Sequence, residues 1–220
     1  MFKSTKFLAV VGAAFLLPLM VTVADPQSVL STSAVAAEEK KEPKYKDVKT
    51  RQRQSVGASC AKALEKVQVV LEEENWPESL NMLVNIENSS KTCKSDYEQT
   101  QIWKFKGYIY YSLDDFNGAI RAYRQVINGA GTPPELRLDT RYTLAQLYTV
   151  EEKYALAAKE LETWMSEATV IGNDARVLLA QIYYQLNRKA ESLKMLEAAI
   201  SDVESKGILP KEGWWGLQRV

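Results

Sequence analysis

Residues 103–127 read WKFKGYIYYSLDDFNGAIRAYRQVI, with aromatic and small residues at fixed intervals. With Gly107 as the eighth position of a unit, Trp103 is the fourth, Tyr110 the eleventh, Phe116 the seventeenth, Ala119 the twentieth and Tyr123 the twenty-fourth. Two helices that cross closely need small side chains at the eighth and twentieth positions, and large ones at the other four fill the space between hairpins. Rings beside a glycine therefore read as internal packing rather than as a ligand box or a membrane-facing surface.

This is tetratricopeptide spacing. It returns in RYTLAQLYTVEEKYALAAKELETWM, with Ala145, Tyr148, Tyr154, Ala157 and Leu161 in the same roles, and in DARVLLAQIYYQLNRKAESLKMLEAAI, with Ala180, Tyr183, Ser192 and Leu196. The intervals from Gly107 to Ala145 and on to Ala180 slightly exceed the usual period of about 34 residues. The helix-breaking connections NGAGTPP and the segment around Gly172 account for the surplus. A degenerate first unit follows from aligning Trp76 with Phe116. The expected fold is all-α, a solenoid of helical hairpins wound as a right-handed superhelix. Its units are a degenerate repeat over 55–90, repeats over 95–130, 137–168 and 173–204, and an incomplete unit over 210–220 that contains Trp214 and Leu217. Ser95-Asp96-Tyr97-Glu98 has capping-box spacing and marks a helix start.

At 220 residues, 46% hydrophobic and 25% charged, the chain can bury a real core. Lysine plus arginine equals aspartate plus glutamate at 28 each, so no global basic field points to nucleic acid. Residues 1–36 carry Lys3 and Lys6, an apolar run from Phe7 to Ala24 and a small-residue Ala34-Val35-Ala36 site, the pattern of a secretory signal peptide. A cleaved leader and a periplasmic protein are expected; an uncleaved inner-membrane anchor is the alternative. Residues 37–54 form a charged arm with seven basic and four acidic side chains, read as solvated and flexible. Two turns of helix after residue 210 make a poor cap, so the sequence is expected to be part of a longer protein. The alternative is pairing of that uncapped end, including self-association.

Export places Cys60 and Cys93 where thiols tend to pair. Cys60 precedes Trp76 by nearly as many residues as Cys93 follows it, so folding the first hairpin there brings the two to similar height. A disulfide is expected, worth about 3 to 4 kcal/mol through loop closure. Two buried, unpaired thiols are the alternative.

The chain has no histidine, which removes the commonest general base and the imidazole metal ligand. Two cysteines make no thiolate cluster unaided, and neither common glycine-rich phosphate motif is present. The pairs and runs Glu72-Glu73-Glu74, Asp114-Asp115 and Glu151-Glu152 fall at hairpin turns, where Asp115 can cap a helix start. No catalytic residue, metal ligand or cofactor is expected. An enzyme using paired carboxylates on envelope polysaccharide is the contrasting class.

Specificity in such arrays lies on the first helix of each hairpin. Position nine gives Gln68, Tyr108, Gln146 and Gln181; position twelve gives Leu71, Tyr111, Thr149 and Tyr184; position five gives Leu64, Lys104, Tyr142 and Val177. Glutamine both donates to and accepts from a peptide backbone, and tyrosine offers a rigid surface with a polar end. The expected partner-binding groove is Gln68, Lys104, Tyr108, Tyr111, Tyr142, Gln146, Gln181 and Tyr184, holding an extended peptide segment. Lys104 alone matches the basic clamp that chaperone-binding arrays use for a terminal carboxylate.

The stretches YKDVKTRQRQSVG, KGYIYYSLDDFNGAIRAYRQVI and YTLAQLYTVEEKY resemble periplasmic tetratricopeptide proteins associated with TonB, ExbB and ExbD systems of Gram-negative bacteria. The resemblance implies a non-catalytic adaptor in energy-dependent outer-membrane uptake, such as iron acquisition. A scaffold for outer-membrane, peptidoglycan or cell-division assembly is the alternative.

Overall fold

The computed structural model describes residues 54–89 and 91–218. The leader expected over 1–36, and the charged arm up to residue 53, lie outside the described residues. Among the described residues, nine α-helices run α1 (Ala58–Glu72), α2 (Trp76–Asn88), α3 (Asp96–Ser112), α4 (Phe116–Asn128), α5 (Pro134–Val150), α6 (Tyr154–Glu167), α7 (Asn173–Gln185), α8 (Lys189–Ser205) and α9 (Glu212–Gln218). Successive pairs form four hairpins, each hairpin packs on the next, and α9 lies against α8. Among the described residues, no helix is long and apolar enough to cross a membrane.

Local chemistry sets the helix boundaries. The Ser95 side chain accepts from the Glu98 amide while Glu98 reaches back to the Ser95 amide, satisfying donors that α3 cannot satisfy internally. Asp115 Oδ1 accepts from the Gly118 amide at 2.8 Å and starts α4. Pro134 opens α5, three residues before the expected start at 137, because its fixed φ suits the first helical position. Each first helix ends beside a residue in the left-handed conformation, namely Glu74, Asp114, Glu152 or Asn187.

The small positions are buried as close helix crossing requires. An added Cβ on Gly107 would stand 2.6 Å from Tyr123 Cε1, so only glycine lets α3 and α4 approach as they do. Ala145 and Ala157 are fully buried between α5 and α6, and Ser192 donates to the Ala180 carbonyl at 2.7 Å between α7 and α8. Large apolar side chains fill the layers between crossings. Ile102, Ile109, Leu144, Leu161 and Ile182 are fully buried, each worth about 2 kcal/mol of transfer free energy.

The first hairpin is built differently. α1 buries Cys60, Leu64, Val67 and Leu71, a stripe at i, i+4, i+7 and i+11. Leu64 and Leu71, counted above on the groove face, are therefore in the core. Val67 stands where the other hairpins have glycine or alanine. The sulfurs of Cys60 and Cys93 lie 1.96 Å apart with Cα atoms at 4.9 Å, bridging α1 to the α2–α3 connection. Glu98 supplements the bridge, its carboxylate accepting from the amides of Gly57, Lys94 and Ser95 at 2.9, 2.8 and 2.9 Å.

Candidate functional site

The first helices α1, α3, α5 and α7 carry the expected groove residues on one recurring register position or another. Lys104, Tyr108, Tyr111 and Gln181 are exposed, while Gln68, Tyr142, Gln146 and Tyr184 are half-buried. Gln68 is engaged with its own helix, its amide donating to Glu72 Oε1 at 3.4 Å. None of the eight is taken into the core. Val177, placed on this face by counting, is instead buried with Trp214 of α9, Ala180 and Leu196.

Aromatic contacts, one between hairpins and two within them, orient the rings. Trp76, first residue of α2, meets Tyr108 edge-on with ring centres 5.8 Å apart. Tyr111 leans on Phe116 at 5.9 Å, and Tyr142 on Trp164 at 5.0 Å. Tilted and edge-on geometries of this kind suit the ring quadrupole, and Tyr108 and Tyr111 remain exposed. Tyr142 is the most committed of the set to internal packing.

The electrostatics of the site favour neutral phenols. Burial raises the Tyr123 pKa well above its ordinary value, and the nearby Tyr108 and Tyr111 phenols oppose its ionisation further. Burial also raises Tyr142, reinforced by Asp174 of α7. Tyr183 is pushed up to about 12, first by burial and then by the hydrogen bond it donates to Glu162 at 2.8 Å. At neutral pH these tyrosines keep their hydroxyl donors.

Other polar pairs are structural. Lys106 is buried on α3, paired with Glu87 of α2, with its ammonium 4.5 Å from the Trp103 ring centre. Its burial was invisible to residue counting, which treats lysine as a solvent residue. Asn117 joins the second and third turns, donating to Glu151 at 2.8 Å and accepting from Lys153 at 2.7 Å. Among the described residues, no group of three or more acidic, cysteine or histidine side chains is placed to hold a metal. A shallow groove of about 350 Å³ between α1 and α2, lined by Lys62, Lys66, Met82 and Ile86 among others, has no counterpart in the sequence reading.

The tetratricopeptide repeat family matches residues 100–128 and 174–201, which fall within the second and fourth hairpins. The fold is that of a tetratricopeptide solenoid. It is similar to MamA 41-end from Desulfovibrio magneticus RS-1, at 18% identity and a TM-score of 0.51 over 67% of this chain and 77% of that one. A second MamA crystal structure gives 16% identity and a TM-score of 0.52 over 67% of this chain and 80% of that one. A Podosopora anserina putative kinesin light chain with nearly identical repeats gives 16% identity and a TM-score of 0.51 over 66% of this chain and 75% of that one. No curated protein matches the chain.

Proposed function

We propose that the chain is a non-catalytic adaptor that holds an extended segment of a partner protein against the face of its first helices. The observation that carries this reading is the row of exposed and half-buried tyrosines and glutamines on α3, α5 and α7. Tyr108 and Tyr111 offer oriented apolar surface, and Gln146 and Gln181 offer amide donors and acceptors to a peptide backbone. The repeat architecture supports it, because stacked hairpins present an extended surface rather than an enclosed pocket.

The finer reading places the adaptor in the periplasm beside a TonB, ExbB and ExbD system, in outer-membrane uptake such as iron acquisition. Its support is the leader-like composition of residues 1–36 and the sequence resemblance of the stretches quoted above. Crosslinking of the tagged protein in cells, followed by mass spectrometry, tests it beside the Gln146→Ala/Gln181→Ala variant. Capture of TonB-system components by the wild type and their loss in the variant is expected. Reproducible capture of only peptidoglycan or division proteins would replace the TonB assignment with the scaffold alternative.

A further inference from the structure

Several large apolar side chains stand partly in solvent near the ends of the first helices. Val69, Tyr108, Tyr111, Leu113 and Val150 are each 40% to 54% exposed. All five lie in the second half or at the end of α1, α3 or α5, towards the hairpin turns. The turns themselves are neighbours. The Trp76–Tyr108 contact ties the first turn to α3, and the Asn117 bonds to Glu151 and Lys153 tie the second turn to the third. Of the five, Tyr108 and Tyr111 lie at i and i+3 on α3, share one face, and form an apolar shelf beside these turns.

That shelf has an acidic border. The three turns bring Glu72-Glu73-Glu74, Asp114-Asp115 and Glu151-Glu152, against which Arg121 stands 3.9 Å from Asp115 and Lys153 stands 3.5 Å from Glu151. Helix capping explains Asp115, and the Asn117 link explains Glu151. Neither explains Glu73, Asp114 or Glu152, which are exposed. Glu74, Asp114 and Glu152 also occupy left-handed positions where glycine or asparagine is the usual choice. The fourth turn does use asparagine, Asn187, and continues with Arg188 and Lys189, so the acidic border ends after the third.

Apolar surface bordered by uncompensated carboxylates selects its ligand by charge as well as by shape. We propose that the partner segment is an extended basic peptide with apolar residues interspersed. Its apolar side chains rest on Tyr108 and Tyr111, and its cations face Glu73, Asp114 and Glu152. This rests on the groove reading and adds to it the sign of the ligand's charge and its position at the turn edge. Phosphate-bearing ligands are repelled by the same border.

Fluorescence anisotropy of the full chain with two labelled peptides tests the assignment, one of four Lys-Pro-Leu triplets and one of four Glu-Pro-Leu triplets. At about 50 mM salt the lysine peptide is expected to bind ~10-fold tighter or more, and the preference should shrink by about 300 mM as screening sets in. The Glu73→Gln/Asp114→Asn/Glu152→Gln variant should keep its helicity and melting temperature while losing most of the preference. Equal affinities, tighter binding of the glutamate peptide, or binding of neither would overturn the proposal. Self-association of the full chain that the triple variant abolishes would also overturn it, giving the shelf to a second copy. If Gln146→Ala/Gln181→Ala still loses its captured partner while the two peptides bind alike, the groove stands and the basic-segment assignment falls.

Discussion

The Tyr123 ring lies directly over the Cα of Gly107, close enough that a methyl group there would sit 2.6 Å from Cε1 and 2.8 Å from Cδ1. The α3–α4 crossing is therefore set by the absence of one side chain. Gly107→Leu should destabilise the fold by about 1 to 3 kcal/mol, through overpacking that a ring wedged between helices cannot relieve. In a double-mutant cycle, Tyr123→Leu should recover part of the loss from Gly107→Ala, giving a favourable coupling energy. Additive effects in thermal melts would contradict the assigned contact.

The Cys60–Cys93 bridge closes a loop between residues 33 apart in sequence. Cys60→Ser/Cys93→Ser should lower unfolding free energy by about 3 to 4 kcal/mol in urea titrations, because the unfolded chain regains the entropy of the closed loop. Both cysteines are buried, at 0% and 1% exposure, so a reductant should act slowly on the folded protein and quickly in denaturant. Intact mass should rise by two hydrogens on reduction; an unchanged mass would show that the bridge is absent.

Glu98 makes stability depend on pH at the acidic end. Its pKa is lowered from an ordinary value of 4.5, chiefly by the Ser95 amide and further by those of Gly57 and Lys94, against the opposing effect of burial. A lowered folded-state pKa gives stability that is fully present above the unfolded value and lost as pH falls through the folded one. Glu98→Gln should therefore cost on the order of 2 kcal/mol between about pH 5 and about pH 7. The gap to wild type should narrow below about pH 4.5. A pH-independent gap in melts would contradict the charge-assisted clasp.

Lys106 and Glu87 form a pair in which the lysine side chain is 5% and the glutamate 24% exposed. Removing one partner strands the other, so Lys106→Ala should cost about 3 kcal/mol. Replacing both, as Lys106→Met with Glu87→Gln, should cost less than the single change because no charge is left uncompensated. Lys106→Met alone costing no more than the double replacement would show that Glu87 does not depend on the lysine's charge.

Much of the fold is legible in the sequence because close helix crossing leaves a local mark. Gly107 with Ala119, Ala145 with Ala157 and Ala180 with Ser192 each signal it without reference to the rest of the chain. The departures have tertiary causes. Counting from the other hairpins puts Leu64 and Leu71 on the groove face, but α1 buries them with Cys60 and Val67 in the first hairpin's core. Val177 is covered by Trp214, from a helix whose docking no periodicity in α7 encodes. Glu98 reads correctly as a capping residue, yet its bond to the Gly57 amide spans 41 residues and has no sequence signal. Of the eight candidate groove residues, Lys104, Tyr108, Tyr111 and Gln181 are exposed, while Gln68, Tyr142, Gln146 and Tyr184 are half-buried by neighbours that counting does not see. The acidic edge beside Tyr108 and Tyr111 has no sequence signal, because it forms only when the turns stack.

The central claim is that the face of the first helices binds a protein partner. Photo-crosslinking amino acids placed at positions 108 and 181, and at exposed Lys159 on α6 as the comparison, test it directly in cells. The account predicts a common protein adduct from positions 108 and 181 and none from 159. Adducts from 159 alone would contradict it.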